Sequence, residues 1–410
     1  MKIPYKSLIG LFILATEFVF AQSGTLLIGQ TTTIGNVTRE YNLFLPSVPQ
    51  NAPIVFLFHG HSNTSNGLIG LDENGVNDPS SVAPYRPWLD IAEQEDIILV
   101  IPDGYNIGDT IKGWNDCRSD GVGNSEQDDV LFVSTLIDDM VSSYQADPNR
   151  VYANGTSNGG HFCIRLAEEI PEKIAAFAAV VSSNAANSEC VTGNLPVSAL
   201  FINGTADPLC PYEGGEMPDN RGEVVSTDST IAYWIQRNEA ITTAVITSVP
   251  NTFSSDNCTV TKYEYSPGST PACVTLLKVN NGGHTDPSPT ERYAFPAVPI
   301  IFGRQNGDIQ MAQEAWNFFQ NKTNLTVAIQ ETDKKDPMVI YPNPATDFCT
   351  LNRTDWSELN EIELLNAMGR TVRTFDSNSL SFDLRGIASG VYFLKVDKGG
   401  TTLIEKVIKK

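Results

Sequence analysis

The chain has 410 residues, 41% of them hydrophobic and 18% charged, enough for one large core and a small second domain. Its formal charge of −21 repels nucleic acid and anionic membrane surfaces and argues against both as partners. Beyond the N-terminus no apolar run reaches membrane-spanning length, so no membrane span is expected.

Residues 1–21 read as a secretory signal peptide. Met1–Lys6 carries two lysines, Ser7–Phe20 is apolar apart from Thr16 and Glu17, and Val19-Phe20-Ala21 forms a cleavage site before Gln22. Export permits disulfides among the seven cysteines. Their spacings do not resemble zinc sites. Cys258 and Cys273, which flank one hairpin-like stretch, are the easiest pair to imagine, but the connectivity stays open and the odd count leaves at least one thiol free.

Residues 22–328 alternate strands and helices. Arg39–Leu45 alternates like a half-buried strand, whereas Ile54–Phe58 and Ile97–Ile101 are unbroken apolar runs. Such runs suit parallel strands covered on both faces. Tyr85–Gln94 and Asp128–Tyr144 carry helical patterns, the latter with a stripe from Val130 to Tyr144. Then come a strand at Arg150–Ala153, a helix at Asn158–Glu169, and strands at Ala175–Val181 and Ser198–Asn203. Asp228–Asn238 and Gln310–Asn321 read as helices, with a strand at Val274–Val279 before the second. This alternation predicts an α/β fold, a mostly parallel sheet with helices on both faces. Residues 329–337 read as a charged linker. Residues 338–410 are short alternating segments separated by turns such as Pro342-Asn343-Pro344, which predicts a small all-β sandwich.

Gly155-Thr156-Ser157-Asn158-Gly159 matches G-x-S-x-G, weak evidence alone. Here it follows a strand and opens a helix, the context of the nucleophile elbow of an α/β-hydrolase. That fold orders its partners as serine, acid, histidine. Of the four histidines, His59 and His61 precede the serine and His161 lies one turn into the following helix, so His284, after Gly282-Gly283, is the expected base. Asp207, Asp219, Asp228 and Asp256 are candidate acids. Asp207 is preferred because it lies just beyond the strand Ser198–Asn203, at the carboxyl edge where ligand chemistry collects in such sheets. An Asx turn before Pro208 is its structural alternative. The expected oxyanion donors are the backbone amides of Asn158 and, from the loop after Ile54–Phe58, His61. The side chains of His59 and His61 are expected to make structural hydrogen bonds, and neither a metal nor an organic cofactor is required.

At this point a family resemblance enters. Thr38-Arg39-Glu40-Tyr41-Asn42-Leu43, His59-Gly60-His61, Gly113-Trp114-Asn115 and Asp128-Asp129-Val130 resemble the secreted esterase family of polyhydroxybutyrate depolymerases and feruloyl or acetylxylan esterases. So do Asp147-Pro148-Asn149-Arg150-Val151-Tyr152, Gly155-Thr156-Ser157-Asn158-Gly159-Gly160, Gly204-Thr205-Ala206-Asp207-Pro208 and Gly282-Gly283-His284. The resemblance covers roughly Gly24 to Asn321 and implies the same triad, a serine ester hydrolase acting through an acyl-enzyme. It also suggests that Trp114 lines the acyl pocket, the alternative being a buried structural tryptophan. The Ser-Asn-Gly-Gly elbow is more similar to the feruloyl-esterase-like branch, acting on plant-polysaccharide esters, than to the polyester depolymerases. Other readings are a polyhydroxybutyrate or polyester depolymerase, a serine peptidase of the same fold and a catalytically silent surface binding protein.

Tyr341-Pro342-Asn343-Pro344-Ala345-Thr346-Asp347, Asn366-Ala367-Met368-Gly369-Arg370, Ala388-Ser389-Gly390-Val391-Tyr392 and the basic end Lys406–Lys410 resemble the C-terminal sorting domain of the type IX secretion system. This implies the type IX machinery as a partner and passage through the periplasm to the cell surface or medium.

Overall fold

The computed structural model describes residues 24–107, 111–122, 124–293, 301–324, 339–352, 359–366, 370–376, 381–398 and 401–410. The expected signal peptide (1–21) and linker (329–337) lie outside the described residues. The chain divides into two compact units, Met1–Thr326 and Val327–Lys410.

The first unit is built on one sheet of ten strands: β1 (Thr25–Ile34), β2 (Val37–Leu45), β3 (Ile54–Phe58), β4 (Ile98–Pro102), β5 (Val151–Thr156), β6 (Ala176–Val180), β7 (Ser198–Gly204), β8 (Val245–Ser248), β9 (Thr259–Tyr265) and β10 (Val274–Asn280). They lie in the order β1-β2-β4-β3-β5-β6-β7-β10-β9-β8. Pairing is parallel from β4 through β10 and antiparallel at both margins. The described helices are α1 (Ser65–Leu68), α2 (Pro87–Gln94), α3 (Asp129–Tyr144), α4 (Asn158–Glu169), α5 (Thr227–Arg237) and α6 (Met311–Phe319).

The period of two along β3 explains the layering. Ile54, Phe56 and Phe58 pack on one face with Phe132, Leu136 and Phe162 of α3 and α4. Val55 and Leu57 pack on the other with Trp88 of α2 and Phe319 of α6. Both faces are therefore dry, which is why the central runs carry no polar alternation. Each fully buried large side chain contributes about 1.5–3 kcal/mol. α3 starts on Asp128, whose carboxylate accepts from the Leu131 amide. It also buries one charge, Asp129, which Arg39 of β2 pairs at 2.7 Å.

Beneath the carboxyl ends of β3 and β5 lies an aromatic block that corrects the expectation for Trp114. Its side chain is fully buried, stacked on Phe162 with ring centroids 5.1 Å apart and edge-on to Phe58. Its indole N–H donates to the His59 carbonyl at 2.9 Å. Trp114 is thus a core residue and does not line an acyl pocket.

The cysteine expectation is also corrected. The disulfide joins Cys117 and Cys190, 73 residues apart in the chain, while Cys258 and Cys273 are free and buried. β9 and β10, which Cys258 and Cys273 immediately precede, are held by their own ladder from Thr259–Asn280 to Tyr265–Val274.

The second unit comprises a three-stranded sheet and a four-stranded sheet. The strands are β11 (Val339–Tyr341), β12 (Phe348–Asn352), β13 (Leu359–Asn366), β14 (Thr371–Phe375), β15 (Ser381–Asp383), β16 (Gly390–Lys398) and β17 (Thr401–Lys409). The orders are β11-β12-β15 and β14-β13-β16-β17, all antiparallel. Leu351, Phe382, Ile362, Leu394 and Val407 form their common core.

Two histidines are interior parts of the first unit. His59 Nδ1 donates to the Gly60 carbonyl at 2.7 Å and its Nε2 accepts from the Gly104 amide at 2.9 Å, so both nitrogens are used by the neutral ring. Burial lowers its pKa to about 4. His161 donates from Nδ1 to the Ser183 carbonyl, and its Nε2 has no partner among the described residues. Burial, with Arg118 nearby, lowers its pKa to about 3. Both folded pKa values lie below the unfolded value near 6.5. Between pH 6.5 and about 4 the unfolded chain therefore binds protons that the folded chain refuses, and stability is lost as pH falls. Each such histidine adds up to about 1.4 kcal/mol per pH unit to the slope. His161→Gln should make the loss of unfolding free energy between pH 6 and pH 5 shallower by up to that amount, measured by urea unfolding at the two pH values. Identical slopes in variant and wild type would contradict this.

Candidate active site

β5 turns into α4 at Ser157, whose backbone takes φ 54° and ψ −122°. A non-glycine residue there is strained by about 1–3 kcal/mol and persists only when its surroundings hold it. The surroundings do so by close approach. A Cβ on Gly155 would lie 2.3 Å from the Gly159 carbonyl oxygen, and one on Gly159 would lie 2.4 Å from the Phe58 oxygen. The strand and helix therefore meet at a distance only glycine permits, and the serine is pushed out above the sheet. The Ser157 amide is anchored to the Val180 carbonyl at 2.9 Å, and its carbonyl accepts from the His161 amide at 2.9 Å.

Three side chains meet at this edge from the ends of β5, β7 and β10. Ser157 Oγ lies 2.9 Å from His284 Nε2, and His284 Nδ1 lies 2.8 Å from Asp207 Oδ2. With Nδ1 protonated and donating to the carboxylate, Nε2 is the acceptor for the serine proton. The other Asp207 oxygen, Oδ1, accepts from the amides of Leu209 and Cys210, each at 2.8 Å. The Asx turn read as an alternative to a triad role exists on the same carboxylate: one oxygen holds the loop and the other holds the histidine. The acid and histidine loops pack backbone to backbone, the Ala206 amide donating to the Gly282 carbonyl at 2.8 Å.

The loop after β3 passes beside the serine. Gly60 lies against it, 3.5 Å separating an ideal Gly60 Cβ from that of Ser157. Neither the His61 amide nor the Asn158 amide is taken up by an acceptor among the described residues. The side chain of His61 is half-buried in the cleft, and burial, then Arg221 and Arg118, lowers its pKa. The cleft has a volume of about 280 Å³ and exposes Ser157, His284, His61, Arg221, Leu209 and Tyr293, among others.

Sequence reasoning missed the network that fixes Asn158. Its side-chain amide donates to Asp116 Oδ2 at 2.8 Å and to the Trp114 carbonyl, and its oxygen accepts from the Trp114 amide at 2.7 Å. Asp116 is fully buried. Burial alone would raise its pKa, but the Arg118 guanidinium at 2.5 Å outweighs this and holds it at about 2. Asp116 and Arg118 flank Cys117, so the disulfide to Cys190 secures the same segment. The signal available was adjacency to Gly113-Trp114-Asn115. Also missed was Asp286, two residues past His284, whose buried carboxyl is pushed up to about 6 by desolvation.

Residues 339–410 match the family described as secretion system C-terminal sorting domain. Feruloyl esterase D of Neurospora crassa is 31% identical over 181 residues, 43% of this chain and 56% of that protein. The bifunctional acetylxylan esterase/xylanase XynS20E of Neocallimastix patriciarum is 28% identical over 176 residues, 43% of this chain and 22% of that protein. The chain thus spans little more than half the length of the first relative and under a quarter of the second. Among solved structures, an acetyl xylan esterase from Aspergillus awamori is similar with a TM-score of 0.42 at 15% identity, covering 64% of this chain and 94% of that one. Part of the chain is thus similar in sequence to feruloyl and acetylxylan esterases, and residues 339–410 match a secretion-system sorting domain.

Proposed function

We propose that the protein is a serine carboxylic-ester hydrolase that works through an acyl-enzyme on Ser157. The observation that carries this is the unbroken hydrogen-bonded chain from Ser157 Oγ through His284 to Asp207, set on a strained elbow and open to a cleft. Ester hydrolysis is the reaction class of the relatives.

In the first half-reaction Ser157 Oγ attacks the ester carbonyl carbon as His284 Nε2 takes its proton. Asp207 keeps the imidazole in the Nδ1–H tautomer and stabilises its cationic form. The carbonyl electron pair moves onto oxygen, where the Asn158 and His61 amides, the former at the N-terminus of α4, are the donors proposed to receive it. The C–O bond to the alcohol then breaks, and His284 returns the proton to the departing oxygen. Water repeats the sequence, deprotonated by His284, and releases the acid and free Ser157.

For the substrate, the feruloyl and acetylxylan esterase relatives support plant-polysaccharide esters, with feruloyl esters foremost. For the address, the sorting domain supports export by the type IX route to the surface or medium.

Ser157→Ala should lower the turnover of p-nitrophenyl acetate and methyl ferulate by about 10³-fold or more, with the thermal transition preserved. Turnover near the wild-type level in the folded variant would refute the assignment of the nucleophile. Deleting residues 338–410 should leave active enzyme in the periplasm, read by fractionation and ester assay. Normal release of the truncated protein would contradict the sorting role.

A further inference from the structure

The cleft that holds Ser157 also carries a cation that the proposed chemistry does not use. Arg221 lines the cleft beside His61, and it is half-buried. Other arginines of this unit, such as Arg39, Arg118 and Arg237, each hold a carboxylate within 4 Å. Arg221 has no carboxylate at ion-pair distance among the described residues. In a chain with a formal charge of −21, an unpaired guanidinium is notable because acidic side chains are so abundant. A half-buried guanidinium without a protein anion keeps part of its hydration and stays free to pair with a ligand carboxylate.

The backbone of Arg221 is fixed to the catalytic elbow. Its carbonyl accepts from Arg118 Nη1 at 2.6 Å, and the preceding Asn220 carbonyl accepts from the Val122 amide at 2.8 Å. Arg118 is locked on Asp116, and Asp116 holds the side chain of Asn158, next to the nucleophile. The charge is thus carried on a segment positioned against Ser157 by buried ionic contacts, the arrangement expected of a recognition group held in advance of its ligand. Asp286 is the acidic side chain among the described lining residues; it is buried and makes no ion pair with Arg221. His61 is pulled below its ordinary pKa and is neutral at pH 7, so Arg221 supplies the permanent positive charge among the described lining residues.

We propose that Arg221 is a specificity residue that selects esters carrying a carboxylate close to the scissile bond. This inference rests on the ester-hydrolase reading of the same site. The planar guanidinium fork fits a carboxylate through two parallel N–H···O bonds. That carboxylate belongs either to the acyl group, as in the half-ester of a dicarboxylic acid, or to the alcohol, as in an acylated uronic acid.

The test uses two matched pairs with the full chain. On the acyl side, p-nitrophenyl hemisuccinate is compared with p-nitrophenyl butyrate. On the alcohol side, the acetyl ester of methyl galacturonoside is compared with that of methyl galactoside. The wild type should favour the carboxylate member of one pair by about tenfold or more in kcat/KM, and the pair that responds identifies the side Arg221 serves. Arg221→Met should reduce kcat/KM for that substrate by about ten- to a hundredfold, chiefly through KM, with neutral esters within about twofold. Arg221→Lys should restore part of the loss. Neutral esters turned over with no charge preference in either pair would overturn this proposal alone, as would an equal loss on charged and neutral esters in Arg221→Met. Failure to turn over any of the four would overturn the ester-hydrolase reading and this inference with it.

Discussion

The rest of the structure depends on the closeness of α4 to the ends of β5 and β3. Two glycine positions, Gly155 and Gly159, let the backbones approach to distances at which a Cβ would collide with a carbonyl oxygen. The residue between them must then turn through a positive φ, and Ser157 takes that strain. Relaxing it would cost the ladder that ties β5 to β3 and β6. The strain is therefore stored by the whole parallel sheet, and the exposed hydroxyl is its consequence.

Around this point the protein buries a linked set of polar groups. Asn158 is both the first residue of α4 and the end of a chain that runs through Asp116 to Arg118. The same carboxylate that anchors the elbow's helix also immobilises the arginine that grips Arg221. Removing Asp116 would leave a buried guanidinium and a buried amide without partners, so this contact couples fold and site. The disulfide at Cys117 closes the segment covalently, in keeping with a chain destined for an oxidising compartment.

The elements that carry the chemistry were legible in the sequence because they are buried. The helix read at Asn158–Glu169 coincides with α4, and the runs at Ile54–Phe58 and Ser198–Asn203 mark β3 and β7 to within a residue. Burial on both faces writes an apolar run, and the glycines of the elbow write a motif. The marginal strands left no such trace. β1 has no fully buried residue and only Leu26, Leu27 and Ile34 reach the core, while β8 is exposed throughout, so neither carries an unbroken apolar run. Ser157, Asp207 and His284 could be named because the fold's chain order leaves one histidine. Trp114 could not be assigned, since a buried indole and a pocket-lining one look alike in sequence. Arg221 and Asp116 lie 64 and 41 residues from the nucleophile in either direction, and only folding shows that both act on its surroundings. The Cys117–Cys190 pairing is of the same kind: long-range contacts carry no local signal.

The central claim is that Ser157 is an activated nucleophile in a cleft open to esters. Its most direct test is covalent labelling with a small p-nitrophenyl alkylphosphonate, which stops at the first substitution because the phosphonyl-enzyme hydrolyses slowly. Intact-mass and peptide analysis should find one phosphonyl group per chain, on Ser157, formed together with one equivalent of p-nitrophenol and loss of esterase turnover. The His284→Ala variant should label far more slowly. Labelling at another residue, or a folded protein that remains unlabelled, would contradict the account.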